Sequence, residues 1–347
     1  MFADELSRHG IHGSPTLPRV KNSKTALIYG LLTVGACAAL LGSLFAGSVA
    51  VGFSEMWQAL LHTDDSLAHS VVFDLRLPRA LTAFAAGGVL AIAGVLMQVL
   101  LRNPLADPFV MGVSGGAAVA ALSAMLLGIV GLGIDVAATL GALVTTLLVF
   151  ALSHGEGGWT PARLLLTGIV VAAGANAVVS TLLALGDDTQ LRGMLFWLMG
   201  DLSLSNGPST LGILFVVALV ASLPFARQLN VLARGELQAH VLGAPVRTLR
   251  IGIFVASSVL TAVSVTTAGT IGFVGLVTPH IARLMLGADH RLVLPASAIL
   301  GGTLVTIADL CARTLFAPRQ LPVGALTAIA GVPLFLILMR RARGTAL

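Results

Sequence analysis

The chain has 347 residues, of which 56% are hydrophobic and 10% charged, with a formal net charge of +5 and a mean hydropathy of +0.97. Soluble domains carry about 25% charged residues, so an ordinary water-facing enzyme is excluded, and so much apolar side chain also excludes a disordered chain. Aromatic residues make up 5% while glycines number 39, a balance that suits helices packed closely in lipid and not a porin-type barrel with aromatic girdles.

Residues 1–24 form a polar tail containing Arg8, Arg19, Lys21 and Lys24. The apolar run Ala26–Ala46 is too long for a signal-peptide core and has no clear cleavage site, which predicts a retained first helix with its basic tail in the cytoplasm. Further apolar stretches at 79–101, 109–128, 132–152, 162–185, 208–226, 250–268, 273–286, 292–312 and 321–339 bring the expected total to ten spans, each needing about 20 apolar residues. The stretch 273–286 is short and reads as a partly embedded or broken helix, and Leu191–Met199 reads as a brief extra helix before the sixth span. The fold class is therefore an all-α polytopic membrane protein. It has a cytoplasmic tail at 1–24, a transmembrane domain at 25–341 with a cytoplasmic loop at about 227–250, and a second tail at 342–347.

With both termini inside, 15 of the 20 Lys and Arg residues fall on the cytoplasmic side and five outside. The outer segments collect acids instead, among them Glu55, Asp64, Asp65, Asp74, Asp187 and Asp188. Both trends agree with the positive-inside rule. Cys37 and Cys311 sit in apolar runs and read as packed thiols. A weak repeat at an offset of 175 residues pairs Ala93-Gly94 with Ala268-Gly269, Pro104 with Pro279 and Gly112 with Gly287, a kind of pattern common in transporters.

Four places depart from this apolar background. The first is the set of outside arginines, Arg76, Arg79, Arg192, Arg313 and Arg319. They either snorkel or pair with Asp74 and Asp309, or they present forked donors to an acidic partner. The second is Arg102-Asn-Pro-Leu-Ala-Asp-Pro108, whose two prolines force a tight cytoplasmic turn. Asn103 or Asp107 either caps that turn or Asn103 lines a gate, with Gln98 one turn earlier as a polar side chain facing the bundle interior. The third is the loop Phe225–Arg250, in which two short helical turns carry Leu237, Val241 and Leu242 at helical spacing before Gly243 and Pro245 stop them. That apolar edge suits a membrane surface or a groove in a partner. The fourth is Gly272–Arg283, where His280 reads as a structural hydrogen-bonder, because no histidine has metal-ligand spacing.

Absences bound the chemistry. The only lysines are Lys21 and Lys24, and neither follows a glycine, so no Gly-x-x-x-x-Gly-Lys-Ser/Thr loop exists and the chain does not hydrolyse ATP by that route. Only Asp309 falls clearly inside an expected span, near its outer end, which counts against a proton- or sodium-coupled carrier acting alone. No cluster of polar residues at one interface suggests a membrane enzyme.

The chain resembles the permease subunit of ABC importers for iron chelates, haem and vitamin B12, the FecCD-type family. The resemblance rests on Arg76-Leu-Pro-Arg79, Gly94 to Gln98, Arg102-Asn-Pro-Leu-Ala-Asp-Pro108, Gly112-Val-Ser-Gly115, Phe196-Trp-Leu-Met-Gly200, Gly272-Phe-Val-Gly-Leu276, Pro279-His-Ile-Ala-Arg283, Leu321-Pro-Val-Gly324 and Gly331-Val-Pro-Leu-Phe335. It runs from about residue 26 to 341. It implies a ten-helix type II importer subunit in the bacterial inner membrane, working as a homodimer. Two cytoplasmic ATPase subunits, which would bind ATP and Mg, would sit beneath, and one periplasmic binding protein above. The chain itself would hold no cofactor or metal, catalyse nothing and bind no nucleic acid. By the same resemblance Arg76, Arg79 and Arg313 would meet the binding protein. Asn103 and Leu105 would line the inner end of the path, with Gln98 nearby. Glu236, Leu237, Ala239, Leu242 and Gly243 would belong to the helix that couples to the ATPase. The implied cargo is haem or a ferric siderophore, with cobalamin as the alternative. The family often has Glu where Gln320 stands, and the basic tail is longer than is usual there.

Overall fold

The computed structural model describes residues 22–47, 67–154, 160–202 and 209–344. Glu55, Asp64, Asp65, Arg8, Arg19 and Lys21 lie outside the described residues. Every regular element among those described is helical. They are α1 (Asn22–Phe45), α2 (Leu77–Leu100), α3 (Val113–Leu126), α4 (Leu132–Leu152), α5 (Pro161–Leu185), α6 (Asp188–Met199), α7 (Ser209–Ser222), α8 (Ala226–Ala233), α9 (Glu236–Val241), α10 (Val246–Ala268), α11 (Val274–Leu286), α12 (His290–Thr314) and α13 (Val323–Gly344). The chain enters α2 through a helical turn, Leu67–Ser70, and a π-helical stretch, Val71–Arg76.

All ten expected stretches are helical, but not all are full spans. Six helices are long and apolar enough to cross a bilayer: α1, α2 with its entry, α4, α5, α10 and α12. A seventh forms if α7 and α8, bent by 67°, count as one; α3, α11 and Val323–Leu338 of α13 are shorter. The backbone shows why. The stretch beginning at 109 spends its first residues in a 3-10 turn, Pro108–Met111, and restarts only after Gly112 takes φ +72°. The stretch 273–286 is short, as expected, because Gly269 and Phe273 both adopt positive φ and leave residues 269–273 irregular before α11. The Thr270 hydroxyl closes this break by donating to the Leu198 carbonyl at the end of α6.

Helix α2 forms the centre of the bundle. It is buried over 89% of its apolar span, against 11% for α5. Its neighbours α12 and α11 approach through glycines: a Cβ on Gly87 would lie 2.1 Å from the Gly301 carbonyl oxygen, and one on Gly94 would lie 2.0 Å from that of Gly275. Small-residue contact of this kind replaces the hydrophobic effect as the force between helices in lipid.

Two of the three pairs in the repeat at offset 175 fall in different local structures. Gly94 is inside α2 whereas Gly269 caps α10, and Pro104 lies in a turn whereas Pro279 lies within α11.

Candidate functional site

At one end of the bundle, α1, α2 and α12 meet around Asp309, which is fully buried in α12. Arg79 of α2 approaches Asp309 Oδ1 with Nη2 at 2.8 Å and donates from Nε at 2.9 Å. Arg313, one turn further along α12, places Nε 3.0 Å from Oδ2. The Arg313 guanidinium continues to Ser43 of α1, donating to its hydroxyl at 2.6 Å and its carbonyl at 3.3 Å. Arg76 donates to the carbonyls of Leu44 and Phe45 at 2.8 and 3.3 Å, at the end of α1. It therefore occupies the carbonyl-rich helix C-terminus, where a cation is favoured.

Sequence reasoning left two fates open for these arginines, and the structure shows the internal pairing directly. Arg76 and Arg313 are 4% and 5% exposed, so the cluster is built into the wall of the bundle. Arg79 is the more open of the three; its Nη1 donates to Gln320 Oε1 at 3.2 Å. Arg79 and Arg313 share the Asp309 carboxylate, and Arg76 sits beside them on the end of α1. Asp309 was visible in the sequence as an acid four residues before Arg313. Ser43 carried no signal, since one serine in an apolar run is unremarkable.

Toward the opposite end, Gln98 is 4% exposed and faces α11 rather than an open space. Its amide nitrogen lies 3.3 Å from the carbonyls of Gly275 and Leu276, and its oxygen accepts from Arg283. It thus satisfies carbonyls near the start of α11, in a helix whose own ladder is interrupted by Pro279. Just beyond α2 the chain turns sharply, with Arg102 at φ +48°. Asn103 Oδ1 accepts the Leu105 N–H at 2.9 Å, and Asp107 Oδ1 accepts the Phe109 N–H at 2.8 Å to cap the 3-10 turn. Both caps considered from the sequence are therefore present. Leu105 is exposed at the tip of the turn and Asn103 is half-buried. Burial pushes the Asp107 carboxyl up to about 6, against the opposing pull of the Phe109 N–H.

The loop at 227–250 is ordered by three contacts. Glu236 at the start of α9 pairs with Arg250 of α10 at 2.8 Å. Ala239 is fully buried and anchors α9, while Leu237 and Leu242 are 81% and 65% exposed on its outer side. Gly243 takes φ +72°, which ends α9 and lets the chain turn into α10. The third contact had no sequence signal: Asn230 of α8 donates to Asp289 at 2.8 Å and accepts the His290 N–H at 2.8 Å, tying α8 to the start of α12. Burial works to raise the Asp289 pKa. The Asn230 amide, the Arg291 N–H and the nearby positive charges outweigh it and hold the carboxylate below its usual range.

Three groups are thus separated along the bundle: an arginine cluster at one end, a proline turn at the other, and an exposed apolar helix beside that turn. Among the described residues no group of three His, Cys, Asp or Glu side chains is placed to hold a metal ion. The pattern of the FecCD transport family matches residues 34–341. The chain belongs to the FecCD transport family. It is 39% identical over 332 residues to the hemin transport system permease protein HmuU of Yersinia pestis, covering 91% of this chain and 96% of that one. It is 43% identical over 277 residues to the cobalamin import system permease protein BtuC of Halobacterium salinarum, covering 79% and 74% of the two chains. A solved inward-facing structure of a metal-chelate type ABC transporter superposes with a TM-score of 0.81 at 31% identity, covering 91% of this chain and 99% of that one. The chain is accordingly an ABC importer permease of the FecCD type, a multi-pass transport subunit and not an enzyme.

Proposed function

We propose that two copies of this chain form the path of an importer that carries haem or a related iron chelate across the inner membrane. Each copy would rest on one cytoplasmic ATPase subunit, and a single periplasmic binding protein would dock across both. Movement would follow alternating access. ATP binding closes the ATPases, and α9 passes that motion through Arg250 to α10 and through the neighbouring α8 to α12. The observation that carries the cargo reading is the near end-to-end match to the hemin permease. The higher identity to a cobalamin permease, over a shorter stretch, favours the second reading.

Local features support each role. The arginine cluster suits acidic groups on a docking partner, with Arg79 the most reachable of the three. Leu237 and Leu242 offer an apolar edge beside a rigid anchor, which suits a groove in an ATPase. Asn103 and Leu105 stand at the mouth-side turn, while Gln98 acts on the path at one remove by fixing α11. The exposed polar Asn176 of α5 is costly against lipid, which favours a second copy and an aqueous path over that face.

The test is the ATPase rate of the assembled complex in liposomes, with binding protein carrying haem, a ferric siderophore or cobalamin in turn. Stimulation by the haem-loaded form above the others supports the proposal, and preference for cobalamin replaces it with the second reading. Uptake that persists without nucleotide and without an ATPase partner would overturn both in favour of an ion-coupled carrier.

A further inference from the structure

A groove between α7, α8 and α10 has no role in the functions above. It encloses about 600 Å³, with residues 214–225 along one side, residues 245–260 along the other and Leu96 of α2 also lining it. Both sides contribute at helical three- and four-residue spacing, so each presents one continuous stripe. Fifteen residues of α10 correspond to about 22 Å of length, comparable with the roughly 15 Å depth of one leaflet's hydrocarbon plus part of its headgroup layer.

The wall is apolar except near the end where α8 and α10 begin, where Ser222, Gln228 and Thr248 line it. Gln228 Oε1 is buried there without a hydrogen-bond partner, an acceptor waiting for a donor. Arg227 and Arg247 stand next to Gln228 and Thr248 in the first turns of α8 and α10. Both are exposed, and neither pairs with any described residue. That end of the groove therefore carries an unsatisfied acceptor, with two unpaired cations on the adjoining helix turns, and the rest is largely hydrocarbon-like.

We infer that this groove binds an anionic glycerophospholipid of the phosphatidylglycerol class. Its acyl chain would lie along the α7 and α10 stripes, its phosphodiester would face Arg227 and Arg247, and a headgroup hydroxyl would donate to Gln228 Oε1. A zwitterionic choline lipid satisfies neither requirement, because it adds no net negative charge and its headgroup carries no donor. The bent helix pair α7–α8 and the start of α10 would then be held together by lipid. The inference requires only that the helices lie in a bilayer, and is independent of cargo.

The full-length chain is reconstituted in liposomes containing equal phosphatidylglycerol and phosphatidylcholine, extracted gently, and its retained lipid identified by native mass spectrometry. Wild type is expected to keep phosphatidylglycerol selectively. Arg227→Ala with Arg247→Ala should lower that retention about thirtyfold, the combined effect of two basic side chains at an anionic membrane surface. Arg234→Ala, which removes an exposed cation at the other end of α8, should leave it unchanged. Gly252 lines the groove and a Cβ there meets nothing within 4 Å, so Gly252→Leu should fill the groove and displace lipid without disturbing the fold. Equal retention of both lipids by wild type would overturn the inference. So would unchanged retention in the double variant or in Gly252→Leu, or cross-linking of Gly252→Cys to another protein chain in place of lipid.

Discussion

Arg79 and Asp309 stand 230 residues apart in sequence and meet at 2.9 Å between Nε and Oδ1. Arg313 closes on the other oxygen of the same carboxylate, so one buried acid ties α2 to α12 and, through Ser43, to α1. Removing it leaves the Arg79 and Arg313 guanidinium groups without the carboxylate that pairs them. Asp309→Ala should therefore cost about 3–5 kcal/mol of stability, read as an early thermal unfolding transition in detergent. Asp309→Asn should lie between the variant and wild type. If Asp309→Ala unfolds together with wild type, the carboxylate is not a strut.

The exchange at Gln320 bears on the same cluster. Gln320→Glu would turn its hydrogen bond with Arg79 into a charged pair and compete with a partner for that guanidinium. Docking of an acidic binding protein should weaken, and the loss should be greatest at low salt, where such charges are least screened. An equilibrium binding titration at two ionic strengths reads this, and affinity unchanged at both would count against docking through Arg79.

The helix crossings yield a steric prediction. Gly94→Ala places a methyl group 2.0 Å from the Gly275 carbonyl oxygen, and the helices must separate. Overpacking of this kind costs about 1–3 kcal/mol. Gly30→Ala in α1 meets nothing within 4 Å and should be silent. Folded yield and melting temperature of the two variants should differ clearly in that order.

Helix α9 divides its residues between two tasks. Leu237→Asp and Leu242→Asp, at positions 81% and 65% exposed, should abolish ATPase co-purification while the permease stays folded. Ala239→Leu, at a fully buried position, should damage the fold first. Size-exclusion profiles and pull-down together separate these outcomes, and a folded Leu237→Asp variant that still binds ATPase would refute the coupling role.

A pH dependence follows from Asp107, whose carboxyl is pushed up to about 6 from 3.8 by burial. A raised acid favours folding in its protonated form. Its stabilising contribution is complete below about pH 4 and is lost as pH rises through about 6. Asp107→Asn removes the titration, so the melting temperature of the variant minus that of wild type should climb between pH 4 and 7. A flat difference would show that the carboxyl titrates normally.

Much of this molecule is legible in its sequence. Length of apolar run and scarcity of charge suffice to place helices in lipid, because no water is present there to satisfy an open backbone. The proline turn at 102–108 and the short helices of the 227–250 loop are also local, since Pro, Gly and Asx capping act within a few residues. The shortness of α11 was legible as the brief run 273–286, but the late start of α3 was not. That start depends on the 3-10 turn at Pro108–Met111 and on Gly112 taking positive φ; the positive φ of Phe273 before α11 likewise has no local signal.

By itself the sequence determined that the chain is a helical membrane protein, which residues carry charge, and that no phosphate loop is available. Only the tertiary structure decided what those charges touch. It placed Arg313 on both Asp309 and Ser43, turned Gln98 toward α11, and joined Asn230 to the start of α12. The Ser43, Gln98 and Asn230 contacts each join helices distant in sequence. Such contacts are properties of the packed bundle, where a buried polar group must find a partner, and no local pattern of residues encodes them.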